Sequence, residues 1–298
     1  MRIIDPKTTP TRDFHQFLLG AVAPRPIAFV STLDTSGRSN LAPYSFYNAF
    51  SSNPPILVFS SNRRVVDNTT KDTLHNILQT RECVINAVTY PIVRQMTISS
   101  VQFDAGVSEF EKSGLTPIPS DLVKPFRVKE SPVQMECKVK EVQTLGTHGG
   151  AGHLIICEVV RMHISTDILD ENDRIDPHKI DLMGRLGRAY YVRCSGDAIH
   201  TIVQPVTQMV IGYDALPDYV KRSQILTAND IAMLSGLPKW PEPSDIIDVK
   251  SLKEVQELLE NSRAIVQDLE RLAQTYLQKE RRQLAAAILA LQEQFSKS

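Results

Sequence analysis

The chain has 298 residues, with 33 Lys and Arg against 34 Asp and Glu, a formal charge of −1, and 42% apolar residues. That length allows one large domain or two smaller ones with real cores. The near-neutral charge argues against a nucleic-acid binder, which needs a basic face to replace released counterions.

No apolar run approaches the ~18–20 residues that span a bilayer, and the N-terminus lacks the apolar stretch of a secretory signal. The four cysteines form no CxxC pair. These features lead us to expect a cytoplasmic protein with reduced, buried thiols and neither a nucleic-acid nor a membrane partner.

Residues 27–33 read as an apolar, β-branched strand, and the turn cluster at 34–38 reverses the chain into a second strand over 40–45. Pro54 and Pro55 open a third over 56–61, where the first residue need not donate to a ladder. A short helix is predicted over 72–78, with Asp72 or Thr73 accepting from its free amides. Residues 82–88 form another strand. Two long strands, 132–145 and 154–165, are joined by a glycine-rich hairpin that holds His148 and His153. The pattern predicts a mainly β fold: an antiparallel barrel of about six strands with short helices, because closure removes sheet edges.

After Val203 the character changes. Prolines punctuate 204–250, where a helix starts near Thr227 with Asp230 completing a weakened capping box. Residues 251–298 lack Gly and Pro, and their apolar residues recur in steps of three and four, which predicts one or two amphipathic helices. A strict heptad would put Ser262, Glu280 and Gln283 on the seam, arguing against a long coiled coil. With 8 basic against 7 acidic residues over 250–298, a basic membrane-lying helix is also disfavoured. The expected organisation is a barrel domain over 1–203, an extension over 204–250 and a C-terminal helical segment over 251–298.

Chemistry concentrates where small polar residues end strands and a cationic cluster follows. Ser31 and Thr32 close the first strand; Ala42, Pro43, Tyr44 and Ser45 lie on the next; Ser60, Arg63 and Arg64 follow the third; Lys71, Asp72 and Thr73 open the helix. Helix N-terminal amides, a threonine hydroxyl and a Lys or Arg together suit a dianionic phosphate. Pro43 lacks an N–H, which is expected to free the strand locally so that a planar ligand can lie on it. HExxH, GxSxG, P-loop and GxGxxG patterns are all absent. His148 and His153 have no third ligand in register, so no metal site is expected. The acidic run at 170–176 fails the EF-hand template. Arg161 and His163 share one strand face, assigned to solvent or a sister subunit, and Trp240 reads as a packing anchor.

Four blocks in order, Arg25-Pro26-Ile27-Ala28-Phe29-Val30-Ser31-Thr32, Asn40-Leu41-Ala42-Pro43-Tyr44-Ser45-Phe46-Tyr47-Asn48, Ser51-Ser52-Asn53-Pro54-Pro55 and Lys71-Asp72-Thr73-Leu74-His75-Asn76-Ile77, resemble the flavin reductase-like, FMN-binding split-barrel family. The resemblance covers about residues 12–195. It implies a homodimeric six-stranded split barrel with FMN near the dimer interface. It places backbone around Ala42–Ser45 at the isoalloxazine edge and Ser31 and Thr32 close to the ring. Ser60, one of Arg63 and Arg64, and the Lys71-Asp72-Thr73 turn would hold the phosphate, and His153 could touch the flavin or the nicotinamide.

The implied activity is NAD(P)H-dependent flavin reduction, with electrons passed to a partner or small acceptor. The alternatives are a non-catalytic electron carrier or flavin store, and a barrel that has lost flavin. The extension beyond 203 is expected to cover part of the flavin groove.

Overall fold

The structure, a computed structural model, describes residues 1–104, 106–202 and 209–295. The expected boundary at 203/204 and the end of the helical segment at 296–298 lie outside the described residues. The chain divides into two compact units, Met1–His200 and Thr201–Ser298.

The first unit opens with helix α1 (Thr11–Ala21) and strands β1 (Ala28–Leu33), β2 (Ser39–Tyr44), β3 (Tyr47–Ser52) and β4 (Pro55–Ser60). Helix α2 (Asp72–Thr80), strand β5 (Glu82–Ala87) and short helices α3 (Val93–Ile98) and α4 (Glu109–Ser113) follow. A small β6–β7 pair (Pro117–Ile118, Arg127–Val128) precedes the long strands β8 (Val133–Thr144) and β9 (His153–Ile164). Helix α5 (Pro177–Ile180) and the β10–β11 pair (Met183–Arg185, Tyr191–Arg193) complete it.

The main sheet is antiparallel and has seven strands, in the order β2-β1-β5-β8-β9-β4-β3. The six-stranded count is therefore corrected by one. The strand not foreseen is β3, which is exposed from Asn48 to Ser52 and so has no alternating apolar face to reveal it. "Mainly β" is corrected as well, because helical residues outnumber strand residues among the described residues.

Strand β1 is buried on both faces. Ala28 and Val30 enter a core with Phe59, Ile85 and Ile155, whereas Ile27 and Phe29 enter a second core with Leu41, Met96 and Phe110. Period-two alternation between two cores is why the segment reads as one unbroken apolar run. Tyr44 of β2 and Tyr47 of β3, the two edge strands, both reach the first core. Tyr44 lies 5.2 Å from the Phe59 ring. The sheet thus curls until its edges share an interior.

The register between β1 and β2 runs without a break through Phe29↔Pro43. Pro43 therefore does not free the strand as expected; it is tolerated because β2 is an edge strand. Cys83, Cys137 and Cys157 are free and fully buried in the first core.

Arg161 is exposed, as expected for that strand face, while His163 is half-buried against the fold. The buried Glu136 carboxylate accepts from the amides of Asp121 (2.8 Å), Leu122 (2.6 Å) and Val123 (3.1 Å), and pairs with His163 Nε2 at 2.7 Å. Arg161 donates to Asp121 at 2.8 Å. Asp121, Glu136 and His163 have metal-ligand spacing, but these amides and Arg161 already occupy the carboxylates, so the trio pins the 121–123 loop.

The second unit consists of helices α6 (Asp218–Lys221), α7 (Ala228–Ser235), α8 (Pro243–Lys250), α9 (Lys253–Asn261), α10 (Ile265–Gln278) and α11 (Arg282–Leu291). The Thr227–Asp230 capping box forms: Thr227 N donates to Asp230 Oδ2 at 2.8 Å, and Asp230 N donates to Thr227 Oγ1 at 3.2 Å. Three helices stand where one or two were expected after residue 251. They break at Ser262, which is extended, and at Glu280, whose φ is 58°. Leu234, Val255, Leu269, Leu277 and Ile288 form the unit's core, and Trp240 packs against it. Among the described residues no helix is long and apolar enough to cross a membrane.

Candidate functional site

A cleft of about 200 Å³ opens where β2, the N-terminus of α2 and the segment after α3 converge. It is lined by Ala42, Pro43, Tyr44, Arg64, Lys71, Asp72 and Thr73 from the predicted set, and also by Asn40, Glu109 and the residues from Ser99 to Phe103. Ser31, Thr32, Ser45, Ser60 and Arg63 are not among its lining residues.

Lys71 is half-buried, with Nζ 4.7 Å from the centre of the Tyr44 ring. It has no carboxylate partner among the described residues. Burial, reinforced by Arg64, lowers its pKa. A desolvated ammonium without a counter-ion is costly and favours an incoming anion.

Arg63 and Arg64, adjacent in sequence, separate in space. Arg63 is bound to Asn68 through its side-chain oxygen and its carbonyl, both at 2.7 Å. Arg64 is held on one edge only, Nη1 donating to Thr69 Oγ1 and the Thr70 carbonyl at 2.8 Å each. Arg64 lines the cleft with Lys71, and Arg63 does not.

Helix α2 begins at Lys71 with no side-chain cap. The expected capping by Asp72 or Thr73 is corrected: Thr73 Oγ1 instead donates to Asn40 Oδ1 at 2.6 Å. The Asp72 and Thr73 amides are therefore left for a ligand, whereas Leu74 N already donates to the Lys71 carbonyl at 3.0 Å. The buried Tyr44 hydroxyl makes no hydrogen bond of good geometry, and burial, partly offset by the neighbouring Thr73 and Ser61 side chains, pushes its pKa up to about 12. It stays a neutral donor at any ordinary pH. Two cations, uncapped helix amides and an orphaned phenol form a donor set that fits a phosphate-bearing ligand.

Of the predicted residues outside the cleft, Ser31 leaves its buried hydroxyl and His153 its Nε2 without a partner. Ser31 and Thr32 are fully buried, and Thr32 Oγ1 accepts from Asn76 Nδ2 at 3.0 Å. Ser60 donates to Asn62 at 2.7 Å, while Ser45 lies 3.5 Å from Arg25 Nε. His153 is buried, bonded through Nδ1 to Thr144 at 3.0 Å, and does not line the cleft.

The β8–β9 hairpin braces the Arg64 segment: Gly150 N donates to the Arg63 carbonyl at 3.0 Å and Arg63 N to the Ala151 carbonyl at 2.9 Å. A Cβ added at Gly152 would come within 2.5 Å of Ser60 Oγ, and one at Gly149 within 3.0 Å of the Arg64 carbonyl. Sequence reasoning missed Glu109 and the Ser99–Phe103 wall. Their only local signal is Ser108, whose side chain caps α4.

Residues 20–180, more than half the chain, match the family model of the flavin reductase like domain. The chain belongs to that family. A relative from Aquifex aeolicus, itself uncharacterized, is 41% identical over 192 residues, or 64% of this flavin reductase-like chain and 95% of the relative. Among solved structures, nitrilotriacetate monooxygenase component B from Bacillus cereus aligns with a TM-score of 0.63 and 30% identity. That alignment covers 67% of this chain and 98% of that one. A split-barrel protein of the flavin reductase type from Shewanella frigidimarina aligns with a TM-score of 0.58 and 26% identity, over 68% and 100% of the two chains. The family match ends before the helical unit.

Proposed function

We propose that this chain is an FMN-dependent oxidoreductase of the flavin reductase type, using NAD(P)H and passing electrons to a separate acceptor. The observation that carries the reading is Lys71, a desolvated cation without a counter-ion, set beside Arg64 at the uncapped start of α2. Lys71, Arg64 and the α2 amides hold the phosphate, Asp72 and Thr73 bound it, and Ala42, Pro43 and Tyr44 seat the ring. When bound, FMN supplies the hydride-accepting chemistry. The chain's own work is to orient the ligand and to keep the neutral Tyr44 hydroxyl available as a donor.

The protein acts as a homodimer. A cleft of about 200 Å³ is smaller than a typical ligand pocket of ~300–1,000 Å³, which supports a second subunit supplying the other wall. Exposed Phe17 and Leu18 on α1 and Phe50 on β3 are apolar surface such a contact would cover. Similarity to a monooxygenase component supports an electron-accepting protein partner.

The test is anaerobic mixing of the FMN-loaded protein with NADH and, separately, NADPH. Loss of the flavin absorbance within seconds is expected with one of them. No bleaching over many minutes would favour an electron carrier or flavin store.

A further inference from the structure

Glu109 reaches the cleft from α4 and is only 8% exposed. Its Oε2 accepts the Leu41 amide and its Oε1 accepts Asn40 Nδ2, each at 3.1 Å. A carboxylate can only accept, so it fixes which way the Asn40 amide points. Nδ2 must face Glu109, and Oδ1 must face α2, where it accepts the Thr73 hydroxyl at 2.6 Å. Burial pushes the Glu109 carboxyl up, while the Leu41 amide and Asn40 pull it down.

We propose that Glu109 is a positioning residue of the anion site, acting through Asn40 to hold Thr73 and with it the uncapped first turn of α2. The proposal rests on reading the cleft as the flavin phosphate site. Glu109 does not itself grip the ligand; it orients the amide that orients the turn.

Three proteins are compared: wild type, Glu109→Gln, and Glu109→Gln with Asn40→Asp. Glutamine at 109 presents an NH₂ group to a donor, so the Asn40 amide turns over and Thr73 must accept from Nδ2 instead of donating to Oδ1, which turns its hydroxyl and disturbs the first turn of α2. Aspartate at 40 restores an acceptor-only group opposite that amide. Affinities for FMN and for riboflavin, which lacks the phosphate, are measured by fluorescence titration. In Glu109→Gln the FMN affinity should fall about tenfold while riboflavin changes less than twofold, as expected when a misplaced turn costs the phosphate about one hydrogen bond. The double variant should recover most of the loss.

An equal loss for both flavins, no loss at all, or no recovery overturns the proposal. If wild type holds FMN no better than riboflavin, the phosphate reading itself has failed. Glu109 is then judged by amide hydrogen exchange in the ligand-free proteins. Faster exchange of Leu74 and His75 in Glu109→Gln, reversed in the double variant, supports the positioning role, and unchanged exchange overturns it.

Discussion

Lys71→Ala is expected to weaken FMN binding by about 1–3 kcal/mol, the range for losing a charge-assisted contact in a partly desolvated site. The ammonium is half-buried, faces Tyr44 and has Arg64 rather than a carboxylate as its charged neighbour. The same environment gives the binding a pH signature. Burial and Arg64 lower the Lys71 pKa, so the cation is lost at a lower pH than that of an ordinary lysine. FMN affinity should therefore fall with rising pH before the usual lysine range near ~10.4, and Lys71→Met should lack this bend.

Without ligand the sign reverses. The folded state disfavours the Lys71 proton, so Lys71→Met should unfold at the same or a higher temperature than wild type at pH 7. Equal FMN affinities in wild type and Lys71→Ala, measured by titration, would place the phosphate elsewhere.

Glu136→Ala is expected to cost about 2–5 kcal/mol of stability, because it leaves buried donors without their acceptor. Three amides of the 121–123 loop and His163 converge on this one carboxylate. Burial works against its ionisation, but the Asp121 amide, His163 and the Leu122 amide outweigh it and hold its pKa below the usual glutamate value. A depressed carboxylate stabilises the fold above its unfolded pKa, and that contribution is lost as pH falls through the folded one. Urea unfolding at pH 7 should thus show a large drop in the variant, and the difference from wild type should shrink on acidification. A drop below 1 kcal/mol at pH 7 would contradict the assignment of Glu136 as the loop's anchor.

Much of this was legible in the sequence because local chemistry decided it. Strand β1 is apolar at consecutive positions since each face meets its own core. Helix α7 was marked by Thr227 and Asp230, which cap it as a box. Ser262 and Glu280, which spoil the heptad, are where the C-terminal helices break.

What was not legible depends on distant residues. Strand β3 has no buried alternation and exists through its pairing with β4. The division of labour between Arg63 and Arg64 is set by Asn68, Thr69 and Thr70, which take different parts of each guanidinium. Glu109 joins the site across 69 residues of chain to Asn40, a distance at which spacing carries no signal. Residues named for the flavin ring, Ser31 and Thr32, sit at a strand end in sequence but are sealed inside the fold.

The glycines of the β8–β9 hairpin make the two sides of the cleft unequal in evolvability. A side chain at Gly149 or Gly152 would run into the backbone of Arg64 or the hydroxyl of Ser60, so variation on the bracing side must displace one of them. On the other side Ser100, Val101 and Gln102 are exposed, where substitutions cost little. Divergence in ligand preference among homologues should therefore accumulate there, and libraries aimed at new acceptors are best built on that wall.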